Sequence, residues 1–92
     1  MTARIALAAR LDLPAAAPLA EEIRGQTGSD IEIDASAVSH LGGLCLQVLI
    51  AAAVAWREAG NALTVSAMSE DFTAALAVFG LTPEALISEK HA

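Results

Sequence analysis

Residues 29–59 read SDIEIDASAVSHLGGLCLQVLIAAAVAWREA, which predicts a short strand, a loop of small residues and a long apolar helix, in that order. The strand covers the first six residues, because Ile31 and Ile33 alternate with acidic residues and therefore share one face. The helix runs from Leu44 to Ala59 and is apolar nearly all round, so much of it must be buried. Gly60 follows it as a stop signal.

Upstream of this stretch, the sequence predicts a strand and an amphipathic helix. The run from Ile5 to Ala9 is apolar and compact, which is typical of a short strand. A helix follows, because Leu19 and Ile23 form an i,i+4 apolar pair and a proline, Pro14 or Pro18, suits a first helical turn. The glycine-containing stretch that comes next ends this helix.

Downstream, the alternation of strand and helix continues. A brief strand is predicted at 63–65. Ser69 is a natural N-cap, and apolar residues then recur at i, i+3, i+4 and i+7 from Phe72 to Phe79, which predicts a helix. Leu86 and Ile87 pack either as a last turn or as an edge strand. The order of elements implies right-handed crossovers, and therefore an α/β fold with a small, mostly parallel β-sheet and helices packed against it.

The length and composition favour one small domain over residues 1–92, with a loosely held tail at about 88–92. The 92 residues are 55% hydrophobic, so one core forms only if most apolar side chains join it. The apolar run from Leu41 to Trp56 would rise only about 24 Å as a helix, short of the roughly 30 Å hydrocarbon core. We therefore expect no direct membrane insertion.

The charge and the cysteine content indicate which class of partner and which cellular compartment to expect. Eleven acids against five bases give a net charge of −6, which repels nucleic acid and anionic membrane surfaces and leaves a protein partner. The single cysteine, Cys45, allows no intramolecular disulfide and no cysteine-based zinc site. Both observations fit a reducing compartment, and we expect a cytoplasmic location.

In its order of motifs the chain resembles the STAS domain family, the fold of bacterial anti-sigma factor antagonists. Leu11-Asp12 resembles the leucine-aspartate pair before the family's first helix, and DASAVS at 34–39 resembles its strand exit. The predicted helix at 44–59 takes the place of the long central helix, and SEDFTAALAVFGL at 69–81 resembles the late helix. The resemblance spans almost the whole chain and implies a single STAS-like domain.

The resemblance also identifies the place where antagonists of this family carry a phosphorylated serine or threonine, at the start of the central helix. Gly43 occupies the acceptor position when the chain is aligned without a gap from the preceding strand, and Leu41 occupies it in the other alignment. Neither residue has a hydroxyl, so no phosphorylation is expected at the family position. The change in charge by which phosphorylation controls partner binding in the family is therefore missing here. Ser36 and Ser39 lie nearby, at different positions.

The run LGGLCLQVL at 41–49 looks like the small STAS proteins associated with bacterial chemotaxis gene clusters. That likeness implies a signalling partner: a chemotaxis histidine kinase or response regulator, or an anti-sigma-like kinase. The alternative is the STAS branch that serves as a cytoplasmic accessory subunit of a lipid-transporting ABC complex. The chain itself is expected to be a monomer or a weak homodimer, in which the apolar helix would be buried.

We expect the partner to bind the loop from Ser36 to Leu46 and the exposed part of the central helix. The two glycines let a partner approach the backbone closely. Trp56, the single tryptophan, either anchors the partner or covers the open end of the sheet. The predicted partner-binding residues are Ser36, Ser39, His40, Gly42, Gly43, Gln47 and Trp56.

No catalytic, cofactor or metal site is predicted. Cys45 begins a helix near His40, which would suit a thiolate nucleophile, but the flanking leucines favour a buried thiol. The other histidine, His91, lies in the expected tail, and two such ligands make no metal site. No nucleophile accompanies the acidic residues, and Asp34 is expected to support the following loop by hydrogen bonds to backbone amides. The enzyme hypothesis therefore ranks third, behind a binding module and a structural subunit.

Overall fold

The computed structural model describes residues 2–89 and confirms the α/β fold, with a mostly parallel sheet and helices packed against it. Strands and helices alternate through most of the chain, as the hydropathy pattern predicts. The strands are β1 (Thr2–Ala6), β2 (Arg10–Leu11), β3 (Asp30–Ala35), β4 (His40–Leu41) and β5 (Leu63–Met68), the helices are α1 (Ala16–Arg24), α2 (Gly43–Ala59) and α3 (Glu70–Val78), and 3-10 turns lie at Leu13–Ala15 and Pro83–Leu86.

The central strand of the main sheet is β3, which pairs in parallel with β1 on one side and β5 on the other. Ile33 lies between Ile5 of β1 and Val65 of β5. Beyond this point the register with β5 shifts by one residue, which leaves Ser66 as the extra residue of a bulge. A separate two-residue parallel ladder joins β2 to β4.

One face of the main sheet is in the core and the other is polar. Ile31 and Ile33 are each 1% exposed and point into the core, as their alternation predicts. On the other face, Arg4 of β1 forms ion pairs with Asp34 at 2.7 Å and with Glu32 at 3.6 Å. Parallel sheets are usually covered on both faces, so this row of charges suits a face that stays open to water.

The helices bury their apolar sides against the inner face of the sheet. In α1, Leu19 and Ile23 are both buried, as predicted from their i,i+4 spacing. Gly60 ends α2 in the left-handed conformation, with φ 76°, which confirms the predicted stop signal. The long helix α2 contributes the largest set of core side chains: Cys45, Leu46, Leu49, Ala52, Ala53 and Trp56.

Ser69 connects the start of α3 to the loop after β3. Its Oγ accepts the backbone N–H of Phe72 at 3.0 Å, which confirms the predicted N-cap. The same hydroxyl donates to the carbonyl of Val38, and the backbone N–H of Ser69 donates to Ala35 O at 3.2 Å. One residue therefore holds α3 against the segment that leads to α2.

Two predictions about the strands are wrong, because the position of each strand depends on pairing between distant segments. The first strand is not at 5–9, because β1 pairs with β3 only from Thr2 to Ala6. Ala9 has left the sheet, and its carbonyl accepts the N–H groups of Ser39 and His40 at 2.8 and 3.1 Å. The predicted loop at 35–43 contains β4, since its two residues pair with β2.

The end of the described chain is fixed to β5. Leu63 and Ser88 exchange two backbone hydrogen bonds, of 2.8 and 2.9 Å, in an antiparallel bridge. Ser88 is fully buried, and Leu86 packs in the core as part of a last helical turn, which was one of its two predicted roles. The chain is therefore held through Ser88. Of the tail predicted at about 88–92, residues 90–92 lie outside the described residues.

Replacing Ser69 by alanine should destabilise the protein by about 1–2 kcal/mol, because α3 loses its cap and the Val38 carbonyl loses its donor. Urea unfolding measures the change. Thr73→Ala is a matched control on the same helix, because its hydroxyl donates only to the exposed first turn. An equal effect from both substitutions would contradict this role for Ser69.

Candidate functional site

The loop between β3 and α2 is held by backbone hydrogen bonds to the segment at β2. Ser39 adds a side-chain bond, since its Oγ donates to Ala9 O at 3.1 Å. The N–H of Gly42 donates to Leu11 O at 2.8 Å, immediately before α2 begins. The start of α2 is therefore placed by contacts with a segment about thirty residues earlier in the chain.

Asp34 organises the first residues of this loop. Its Oδ1 accepts the backbone N–H of Ser36 at 2.9 Å, which confirms the predicted support role. Hydrogen bonds from the hydroxyl and the amide of Ser36, together with the guanidinium of Arg4, lower the pKa of Asp34 to about 2. The carboxylate is thus ionised at neutral pH and acts in structure rather than as an acid or a base.

The two glycines before α2 have different roles. A Cβ on Gly42 would lie 3.1 Å from Leu11 O, so a side chain there would push against the backbone. A Cβ on Gly43 would lie 3.7 Å from two ring atoms of Phe79, which is an ordinary contact distance. Gly42 therefore permits close packing, whereas Gly43 is exposed and forms part of the surface.

Segments that carry exposed apolar side chains meet at Gly42 and Gly43, where the ring of Phe79 and the backbone of Asp12 come close. Among residues 2–89, five large apolar side chains are exposed, and four of them come from the segments that meet at the start of α2. Leu13 is 72% exposed and follows Asp12, whose backbone packs against Gly42. We call these four residues the apolar patch: Leu13, Leu44, Val78 and Phe79.

None of these four residues is among the partner-binding residues predicted from the sequence. Phe79 is the last position of the apolar series that predicts α3, but it follows the helix and is about half exposed. The available signal was the aromatic residue before Gly80-Leu81, which belongs to the late-helix motif. Leu13 offered no local signal, because its place depends on the β2–β4 pairing.

Most of the predicted partner-binding residues share one region, and one does not. Trp56 is 6% exposed and packs between α1 and α2, where its Nε1 donates to Ser29 O at 2.7 Å. The indole is thus part of the core, which leaves little of it for a partner. The other residues lie in the loop and the first turns of α2, half-buried at Gly42 and exposed at Ser36, Ser39, His40, Gly43 and Gln47.

Cys45 is buried at the start of α2, as predicted. It is 1% exposed, and its Sγ donates to Asp12 O at 3.4 Å. Burial, and to a smaller extent the charge of Asp12, raises the pKa of the thiol, so the thiolate is disfavoured. The side chain is therefore a small core residue and not a nucleophile.

Residues 2–89 contain no group of three or more His, Cys, Asp or Glu side chains that would hold a metal ion. His40 is exposed on β4, while His91 falls outside the described part of the chain. Over the same residues, no helix combines the length and the apolarity needed to cross a membrane.

A protein-family model described as "Mlab, STAS domain" matches residues 1–88. The match covers β1 through the bridge at Ser88, and therefore both the sheet and the apolar patch. No curated protein and no solved structure matches the chain.

Replacing Asp34 by asparagine should destabilise the protein in a pH-dependent way. The folded pKa of about 2 lies below the ordinary aspartate value of about 3.9, so the stabilisation is present above about pH 4 and lost as the pH falls towards 2. Urea unfolding of both proteins between pH 2 and 7 measures it, with Glu22→Gln as a control for one lost charge. A difference in unfolding free energy that stays constant with pH would contradict this expectation.

Iodoacetamide should label Cys45 at least about tenfold more slowly in the native protein than in the urea-unfolded chain, because burial both blocks the thiol and raises its pKa. Mass spectrometry of timed samples at pH 8 gives the two rates. Equal rates would show that the thiol is accessible and would reopen the nucleophile hypothesis.

Proposed function

This chain belongs to the STAS domain family, and we propose that it is a non-catalytic module that binds a signalling protein through the apolar patch at the start of α2. STAS domains are protein-interaction modules of the anti-sigma factor antagonist type. The observation that supports this site is that the segments which meet there carry most of the exposed large apolar side chains of residues 2–89. A chain of 92 residues has few such side chains to spare from its core, and four of the five described lie in this patch.

The geometry at Gly43 supports a close approach by a partner. The residue is exposed and has no side chain, and the ring of Phe79 lies beside it. A partner can therefore contact the backbone at the first turn of α2 and the apolar ring together. Aromatic side chains, phenylalanine among them, are enriched at protein interfaces, which makes the ring of Phe79 a suitable contact.

Binding is proposed to be constitutive or controlled on the partner's side. Position 43 is a glycine and offers no hydroxyl for a kinase. Of the nearby serines, Ser39 already uses its hydroxyl in a bond to Ala9 O, and Ser36 uses its hydroxyl and amide on Asp34. The family position therefore offers no hydroxyl to accept a phosphate, and binding is not switched by the charge that a phosphate would add there.

For the partner itself, we keep the signalling protein expected from the run at 41–49: a chemotaxis histidine kinase or response regulator, or an anti-sigma-like kinase, in the cytoplasm. The net charge of −6 favours a partner with a basic surface. A second candidate is the accessory subunit of an ABC complex. The description of the matched family names no chemotaxis protein, so this candidate is tested beside the first one.

Replacing Gly43 by arginine should weaken partner binding at least tenfold, or about 1.4 kcal/mol, because a long charged side chain would cover Phe79 and the exposed backbone. The fold should survive, since Gly43 is exposed and the first atom of a side chain fits. The measurement is capture of partners from native cytoplasm by the tagged protein, followed by titration calorimetry with the protein recovered.

Thr64→Arg is the matched control, because it adds the same charge to the polar face of the sheet, far from the patch. Recovery of a chemotaxis kinase or regulator by the wild type and by Thr64→Arg, but not by Gly43→Arg, would support the signalling function and its site. Recovery of transporter ATPase and permease subunits would replace it by the second candidate. Equal binding by all three proteins would overturn the site.

A further inference from the structure

The two outer edges of the main sheet differ. The edge of β5 is covered at one end by the bridge between Leu63 and Ser88, and its bulge at Ser66 interrupts the strand. The edge of β1 has neither feature, because its register with β3 is continuous from Thr2 to Ala6 and no other strand of residues 2–89 lies beside it. Folded proteins usually block such an edge, so β1 offers a place where a further strand can pair.

The backbone groups on this edge belong to alternate residues. The N–H of Leu7 donates to Asp34 O at 2.9 Å, so Leu7 directs its backbone groups towards β3. Successive residues of a strand direct theirs to opposite sides, and Thr2, Arg4 and Ala6 therefore direct their N–H and C=O groups away from the sheet. All three residues are exposed. A row of backbone donors and acceptors at this spacing matches another extended chain.

The charge of Arg4 does not close the edge. Charged side chains on an edge strand commonly keep other strands away. Here, ion pairs of 2.7 Å with Asp34 and 3.6 Å with Glu32 hold the guanidinium on the open face of the sheet. The two carboxylates lie on β3 and therefore draw the side chain away from the free edge. They also offset its charge.

An apolar pocket of about 210 Å³ lies at the end of this edge, between β1 and α1. Ala6 belongs to both features, because it is the last residue of β1 and also lines the pocket. The buried side chains of Leu7 and Leu19 line it as well, and Pro18 and Glu22 of α1 are its exposed lining residues. A strand paired with β1 would direct the side chain opposite Leu7 to the inner face of the sheet, where the pocket lies.

We propose that the edge of β1 binds an extended segment of a partner protein as an added strand, with an apolar side chain of that segment in the pocket. Hydrogen bonds to the backbone of Thr2, Arg4 and Ala6 would supply the affinity, and the pocket would select the side chain. Glu22 beside the pocket and the net charge of −6 favour a basic residue near the apolar one. The segment is therefore extended, apolar and basic.

The position of α1 favours a single segment over a second copy of this chain. Two copies paired through β1 would be related by a two-fold axis perpendicular to the sheet, which places the helices of both on the same side. Pro18 and Glu22 of α1 already form one wall of the pocket beside the edge. The α1 of a second copy would compete for this space, whereas a lone strand has no helix to place there.

This site goes beyond the proposed function and shares no residue with the apolar patch. A variant that blocks one surface should leave binding at the other unchanged. Gly43→Arg, which covers the patch, should therefore bind an added strand like the wild type. The two proposals can fail independently of each other.

The probe for this site is a synthetic peptide of about ten residues in which valine alternates with threonine and a lysine stands at each end. Two further peptides carry isoleucine or leucine in place of valine. Titration calorimetry with the full chain should show saturable binding of at least one peptide, with a dissociation constant below about 1 mM. At saturation, NMR-detected hydrogen exchange of the Arg4 and Ala6 amides should slow at least about fivefold, because both N–H groups become hydrogen-bonded.

Replacing Ala6 by proline should weaken peptide binding at least about tenfold, because proline has no N–H and its ring occupies the edge, where a strand tolerates it. Ala6→Ser is the matched control, since it keeps the N–H and should bind like the wild type. Circular dichroism checks that each variant is folded. The hydrogen-exchange result on the wild type tests the same contact without any substitution.

Reversing the charge at Glu22 tests the pocket end of the site. Glu22→Lys should weaken peptide binding by about threefold, because the lysine of the peptide loses its acidic neighbour. Glu58→Lys makes the same change of charge on an exposed residue at the end of α2, and it should have a smaller effect. Equal effects of the two substitutions would contradict the position of the pocket in the site.

The absence of saturable binding by all three peptides up to about 1 mM would overturn the proposal. Binding that persists in Ala6→Pro, or that leaves the exchange of Arg4 and Ala6 unchanged, would also overturn it. The peptide would then occupy another surface, such as the apolar groove between α1 and α2. A wild type that dimerises without peptide, while Ala6→Pro stays monomeric, would assign the edge to a second copy instead.

Discussion

The pairing of β3 with a neighbour on each side is the constraint on which the rest of the structure depends. Its inward residues fill the centre of the core, and its outward carboxylates form ion pairs with β1. Where the strand ends, Ala35 is fully buried and its carbonyl accepts the backbone N–H groups of Val38 and Ser69. The loop to α2 and the start of α3 are thus both placed by the last residue of one strand.

Local signals in the sequence predicted local structure correctly. The cap at Ser69, the stop at Gly60 and the alternation at Ile31 and Ile33 depend on residues within a few positions of each other, and the structure confirms all three. The bounds of β1 and the existence of β4 were missed. These depend on hydrogen bonds between segments about thirty residues apart, which hydropathy does not encode.

The candidate site shows the same division. The loop and the glycines could be identified from the sequence, because small residues before a long helix form a recognisable pattern. The exposure of the aromatic side chains could not be identified in this way. Trp56, a candidate partner contact, is in the core, whereas Phe79, the last position of the apolar series in α3, is half exposed. Both outcomes follow from how α1, α2 and α3 pack, and an aromatic residue near the end of a helix suits either environment.

The burial of Trp56 has a practical consequence for solution studies. The chain has one tryptophan and no tyrosine, so its indole fluorescence arises from a single place, beside the groove between α1 and α2. The indole is shielded from water and hydrogen-bonded to the carbonyl of Ser29. Its emission therefore reports two events without any added dye: a change at the groove while the protein stays folded, and the separation of the two helices when it unfolds.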